Sequence, residues 1–267
     1  MYVNKLPADT FTFDHVYMTV DSTRVRLLVG DPDTKFPLAS VTKAIAAWSV
    51  LVAVSEGRIG LDDPAGPEGS TFRHLLAHAA GLPMEKGAPI ARPGSRRIYT
   101  NYGFEVLGEE LADRVGMPIQ DWIKESVLEP LGMEDTRING SIAHSGRATA
   151  DDIARLALEL LNPTLVDREL AVEATRPAFV ELTGILPGYG KQQENWWGLG
   201  FEMKGAKEPH WLGETFSART YGHFGQSGSF LWIDPEIRKA GVFLGAEKFS
   251  ETHKALWPAL TDQMRMI

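Results

Sequence analysis

The hydrophobic pattern changes period twice along the 267 residues. Near the start, Phe11 and Phe13, then Val16, Met18 and Val20, fall on alternate positions, and RVRLLVG follows the break at Asp21-Ser22-Thr23. A period of two puts successive side chains on opposite faces of a strand, so these runs predict an antiparallel hairpin with its first strand starting at Phe11. At the far end, SFLWIDPE and KAGVFLGAE flank an Asp234-Pro235 turn and predict a second hairpin. Between the two hairpins the period is helical. Helices are predicted over residues 39–56, stopped by Gly57, and 71–79, closed by Gly81. Further helices are expected over 101–115, 119–128, the run ATADDIARLALELLN with Thr149 as N-cap, 167–174 and the tail 251–266. Strands at both ends and helices in the middle leave few solutions. The expectation is an α/β (α+β) fold whose antiparallel sheet is built from both termini and flanked by helices. Residues 1–35 with 190–267 form the sheet lobe of one domain spanning 1–267, and residues 36–189 form an inserted, mainly helical lobe. A cleft between lobes is a common place for a site.

Composition removes several functions. The chain is 43% hydrophobic and 23% charged, an ordinary balance for a packed core. Its formal net charge of -8 disfavours a phosphate backbone as partner, so no nucleic acid is expected. The absence of cysteine excludes disulfides, thiolate catalysis and Cys-based zinc sites. The most apolar run, AIAAWSVLVAV, is too short to span a bilayer and reads as a buried helix, so no membrane partner is expected. MYVNKLPADT lacks the basic start and apolar run of a leader, which predicts a cytoplasmic protein.

Three short stretches carry candidate chemistry. Ser40 and Lys43 are three apart, so on a helix they share a face. A serine hydroxyl needs a base to become a nucleophile, and a lysine is a base only when burial or positive charge lowers its pKa. The same letters also fit a Ser N-cap beside a surface lysine. Tyr99-Thr100-Asn101 stands at a loop-to-helix junction, where Tyr99 could relay a proton and Asn101 donate to a substrate carbonyl, or where a core aromatic precedes an Asn cap. In His223-Phe224-Gly225 the glycine permits close approach to a strand edge. There the N–H of Gln226 could pair with that of Ser40 as an oxyanion hole, and His223 could contact substrate or the hydroxyl–amine network. A plain turn before an edge strand fits those letters too. His74 and His78 have the i, i+4 spacing of a metal pair, but HLLAH lacks the Glu of the zinc-protease motif and reads as structural. Trp196 and Trp197 read as packing residues that could border the cleft.

The order of these elements resembles the class C β-lactamase-like serine hydrolases, which include DD-peptidases, D-amino-acid-specific peptidases and family VIII esterases. FPLASVTKAIAAWSVLVAVSEGRIGLDDP, TFRHLLAHAAGLP, PGSRRIYTNYGFEVLG, LEPLGMEDTR, ATADDIARLA, WWGLGFEM and GHFGQSGSFLWIDPE carry the resemblance, from about Phe36 to the C-terminus. It implies a β-lactamase-like fold with Ser40 as the acylated nucleophile and Lys43 and Tyr99 as its base system. It further implies that Asn101 orients the acyl side chain, that His223 stands where the family has a lysine, and that the N–H groups of Ser40 and Gln226, the latter after Gly225, hold the oxyanion. No metal or organic cofactor is implied, and the partner is a small ester, peptide or β-lactam. The sequence departs from the pattern in its short start, in the compact PAGPEGS loop after Asp63 and in His223. These departures predict a cleft that is more open or differently walled, and esterase or peptidase action ahead of β-lactam hydrolysis. A β-lactamase, a penicillin-binding sensor with slow deacylation and a non-catalytic binding protein are the alternatives.

Overall fold

The two terminal hairpins both form, and they join into one sheet. The computed structural model describes residues 11–267; the MYVNKLPADT segment lies outside the described residues. In chain order the elements are β1 (His15–Asp21), β2 (Val25–Val29), β3 (Phe36–Pro37), a 3-10 turn (Ala39–Val41), α1 (Thr42–Ser55), α2 (Phe72–Leu76), α3 (Asn101–Val115), α4 (Ile119–Ile123) and a π-helical turn (Lys124–Leu128). They continue with β4 (Arg137–Ile138), β5 (Gly146–Ala148), α5 (Ala150–Leu161), α6 (Arg168–Ala174), β6 (Gly184–Leu186), β7 (Gly190–Gln192), β8 (Glu202–Met203), β9 (Tyr221–Gly225), β10 (Ser229–Asp234), β11 (Lys239–Gly245) and α7 (Glu251–Met266). The six-stranded sheet has the order β2-β1-β11-β10-β9-β8. Its centre is the antiparallel pairing of β1 with β11, in which His15 faces Gly245 and Asp21 faces Lys239.

The period-two pattern sorts side chains between two cores. Val16, Met18 and Val20 of β1, Leu231 and Ile233 of β10, and Ala240, Val242 and Leu244 of β11 pack with the apolar residues of α1, α3 and α5. Tyr17, Phe230, Trp232 and Phe243 point the other way and meet Trp257, Leu260 and Met264 of α7. Each such large side chain contributes roughly 1.5–3 kcal/mol when fully buried, so both faces of the sheet drive folding. Phe11 and Phe13 lie ahead of β1, which starts at His15 and not at Phe11. Their rings pair at 4.9 Å, and Phe11 packs on Phe243 at 5.3 Å, on the α7 side. The alternation in the sequence is therefore two patterns of opposite phase.

Helix α1 is buried on every side from Thr42 to Ala53, as its apolar run requires. It begins later than expected, because residues 39–41 form a tighter 3-10 turn with Ala39 at φ 42°. Gly57, at φ 69°, follows its C-cap in the left-handed conformation that ends helices. Helix α2 stops at Leu76, short of residue 79, and His78 turns the chain at φ 53°. The helix expected over 119–128 divides into α4 and the π-helical turn. Thr149 caps α5 as expected, its Oγ1 accepting the Asp152 N–H at 3.2 Å. Among the described residues no helix is long and apolar enough to cross a membrane.

Candidate active site

The turn that carries Ser40 is pinned from three sides. The Leu38 N–H donates to the Gly146 carbonyl at 2.8 Å. The Thr42 hydroxyl donates to the Ala39 carbonyl at 2.6 Å and accepts the Gly146 N–H at 3.0 Å. These bonds hold Ala39 in a left-handed conformation that costs a residue with a Cβ about 1–2 kcal/mol. Behind the turn lies Gly225, at the end of β9. A Cβ there would collide with the Leu38 carbonyl and stand 3.1 Å from the Ser40 nitrogen, so only glycine permits this approach. The backbone of Gln226 thus follows directly on the contact with Ser40. Turn bonds from Gly228 N–H to the Gly225 carbonyl and from Phe249 N–H to the Gln226 carbonyl, both 3.0 Å, fix that corner.

Lys43, on the first turn of α1, is fully buried. Its Nζ lies 2.7 Å from Asn101 Oδ1, 3.0 Å from the Ala143 carbonyl, 3.0 Å from the Tyr99 hydroxyl and 3.4 Å from Ser40 Oγ. The Tyr99 hydroxyl is 2.6 Å from Ser40 Oγ. Burial lowers the Lys43 pKa to about 7, with the Glu105 charge opposing it. Burial pushes the Tyr99 phenol above its ordinary range, against the pull of its bond to Ser40. At neutral pH the amine is thus divided between its two protonation states while the phenol keeps its proton. Asn101 Oδ1 and the Ala143 carbonyl can only accept. They take two amine protons, so the third position on Nζ, a proton or a lone pair, faces the two hydroxyls.

Tyr99 and Asn101 reach Lys43 because α3 starts between them. The cap is Thr100, not Asn101: the Thr100 Oγ1 accepts the Gly103 N–H at 3.0 Å. Asn101 is the first residue of the helix, with its side-chain oxygen held by Lys43. His78 packs against the Tyr99 ring at a tilt of 47° with centroids 4.7 Å apart, and its Nδ1 accepts the Thr100 N–H at 3.3 Å. It is separated from this role in the sequence by a loop, and His74 bonds Thr71 instead, at 2.9 Å. Among the described residues no group of three or more His, Asp or Glu is placed to hold a metal ion.

A cavity of about 120 Å³ opens beside the hydroxyl pair. Ser40, Tyr99, Asn101, His223 and Gln226 line it, together with apolar walls from Met84, Leu186, Pro187, Trp197 and Phe224. Leu186 and Pro187 belong to the β6–β7 hairpin, a wall that the sequence pattern did not delimit. The His223 Nδ1 lies 2.7 Å from the Phe224 carbonyl, which can only accept, so Nδ1 carries the proton and Nε2 the lone pair. Burial, and then Lys43, lower the His223 pKa to about 3. His223 makes no hydrogen bond to Ser40, Lys43 or Tyr99; its ring stands 5.8 Å from that of Tyr99.

The model of the β-lactamase family matches residues 30–264, a span that takes in every residue of this cluster. The chain belongs to the β-lactamase family. A crystal structure described as a β-lactamase from Mycobacterium bovis superposes with a TM-score of 0.96 at 44% identity, over 97% of both chains. A penicillin-binding protein of Bacillus subtilis is 29% identical over 136 residues, 39% of this chain and 30% of its own length. The D-alanyl-D-alanine-carboxypeptidase/endopeptidase AmpH of Escherichia coli is 28% identical over 141 residues, 39% of this chain and 37% of its own. The match thus spans about a third of the length of these curated relatives. Within the β-lactamase fold, the antiparallel sheet and the flanking helices match the α/β (α+β) architecture expected from the sequence.

Two parts of the site were missed in the sequence. The Ala143 carbonyl is a backbone atom one hundred positions from Lys43, and no letter marks it. The floor behind Trp197 is a buried cluster in which Glu202 of β8 contacts Lys207, His210 and Trp211. A lone Glu in the apolar run WWGLGFEM was the available signal.

Proposed function

We propose that this chain is a serine hydrolase in which Ser40 attacks an ester, amide or lactam carbonyl of a small substrate to form an acyl-enzyme. The observation that supports this reading most is the placement of Lys43. It is a fully buried amine with two fixed acceptors and two hydroxyls around it, and its pKa lies near 7. A neutral Lys43 accepts a proton through Tyr99. The steps of 2.6 Å from Ser40 Oγ to the Tyr99 oxygen and 3.0 Å from there to Nζ are both shorter than the direct 3.4 Å. As the Ser40 oxygen bonds to the carbonyl carbon, its proton passes to Tyr99 while the Tyr99 proton passes to Lys43. The N–H groups of Ser40 and Gln226 stabilise the oxyanion. Collapse of the tetrahedral intermediate breaks the bond to the leaving group, which takes the proton back from Lys43. Water then attacks the acyl carbon and gives a proton to the same relay; the bond from the carbon to Ser40 Oγ breaks, the relay returns the proton to Ser40 Oγ, and the acid leaves.

Esterase or peptidase action is the primary reading, because no fixed cation stands where His223 does. A lactam is the second reading, supported by the 44% identity to a structure described as a β-lactamase. Intact-mass analysis after exposure to a fluorophosphonate and to a penicillin tests the first step. Wild type gains one phosphonyl group and Ser40→Ala gains none. Labelling of both alike, or of neither, overturns the assignment. A penicillin adduct that persists for hours would instead support slow deacylation.

A further inference from the structure

Two side chains that line the cavity each carry a buried polar atom with no protein partner. One is the indole Nε1 of Trp197, which can only donate; the other is the Nε2 of His223, which with its proton fixed on Nδ1 can only accept. The two side chains are 1% and 3% exposed, both line the cavity, and their rings meet edge to face with centroids 5.4 Å apart. A buried polar atom left unpaired costs about 1–3 kcal/mol, so a group that pairs both atoms is favoured there over one that pairs neither or only one.

We propose that Trp197 and His223 form a subsite for a neutral carboxamide of the substrate, whose carbonyl accepts from Trp197 Nε1 and whose N–H donates to His223 Nε2. The carboxamide is the group that offers one acceptor and one donor side by side. A methyl ester pairs with Trp197 alone. A carboxylate also pairs with Trp197 alone, and it sets an oxygen lone pair against that of His223. Protonating His223 does not relieve this at neutral pH, since burial and Lys43 keep it neutral. Nor is another cation free among the described lining residues. Lys43 is occupied by Asn101, Ala143 and Tyr99, and Glu202, which also reaches the cavity, is paired with Lys207 and His210. The remaining walls, Met84, Leu186, Pro187 and Phe224, suit an uncharged group. The site therefore takes neutral, amide-bearing acyl donors and turns away those with a carboxylate in this position.

The inference rests on acylation of Ser40, and the experiment separates the two. Two sets of thioesters carry a primary amide, a methyl ester or a carboxylate at one position, once in the acyl part and once in the thiol part. In one set or both, kcat/KM is expected to be about tenfold higher for the amide than for the ester, and about a hundredfold higher than for the acid. His223→Phe is expected to bring the amide-to-ester ratio close to one, and Trp197→Phe to lower kcat/KM for amide and ester alike with their ratio kept, while fluorophosphonate still labels Ser40. If Ser40 is labelled and the amide is preferred in neither set, or the preference survives His223→Phe, the subsite is wrong and the nucleophile stands. If Ser40 is not labelled in wild type, the proposed function falls and the subsite with it.

Discussion

Among the described residues two lysines are fully enclosed, and they are enclosed differently. Lys43 is 0% exposed and Lys207 is 2% exposed. The Lys207 Nζ donates to the Glu202 carboxylate and to the carbonyls of Met203 and Trp196, so three pure acceptors meet three ammonium protons. Burial alone would raise the Glu202 pKa; Lys207 and His210 outweigh it and hold the carboxylate ionised. Lys43 has no carboxylate in contact. Two of its four neighbours are hydroxyls that can give or receive a proton. Burial lowers the pKa of both amines, but at Lys207 the contacting Glu202 carboxylate opposes that shift and favours the cation, whereas no carboxylate touches Lys43. Burial with a counter-ion suits a pin for the floor of the cavity, and burial without one suits the base proposed for Ser40.

Four substitutions or titrations test that contrast, beginning with the largest effect. Lys43→Met removes the base while keeping the volume. It is expected to lower the rate of Ser40 phosphonylation by about 10³-fold or more, with thermal stability unchanged or higher. A fall in stability as large as that of the Lys207 variant would show that Lys43 is a pin as well. Lys207→Met leaves the Glu202 carboxylate buried without its counter-ion and is expected to cost about 3–5 kcal/mol in denaturant unfolding. Pairing it with Glu202→Gln should recover much of that loss; no recovery would mean that the ion pair is not the pin. Tyr99→Phe breaks the short relay but leaves the direct path to Nζ, so the same labelling rate should drop by about 10²-fold. The smallest effect is on stability. Between about pH 7 and the ordinary lysine range the unfolded chain binds a proton at Lys43 that the native chain does not. Stability of wild type relative to Lys43→Met should therefore rise as pH rises through this window, and equal slopes for the two proteins would contradict it.

Much of this was legible in the sequence, and the gaps have physical reasons. The end-to-end sheet followed from alternation, and the buried α1 from an apolar run with no polar face. The start of β1 was misplaced because Phe11 and Phe13 obey the same period as a strand while packing on the α7 side from irregular chain. The phase break between Phe13 and Val16 marked the true start. Ser40 and Lys43 were expected on one helix and lie across the junction of a 3-10 turn and α1; both geometries bring positions three apart together, so the pair was found despite the difference. Asn101 was named at the start of α3, but the cap there is its neighbour Thr100, and no letter showed that the Asn101 oxygen meets Lys43. The contacts of His78 and Ala143 could not be read, since one is a tilted ring contact made from another loop and the other is made by a backbone carbonyl.

The pH dependence of Ser40 phosphonylation tests the central claim about Lys43 most directly. The rate constant of wild type, followed by intact mass over about pH 5 to 10, is predicted to climb nearly tenfold per unit up to about 7 and then level off, as the lone pair on Nζ becomes available. A rate that stays flat across that range, or keeps climbing toward the pH of an ordinary exposed lysine, would show that Lys43 is not the base for Ser40.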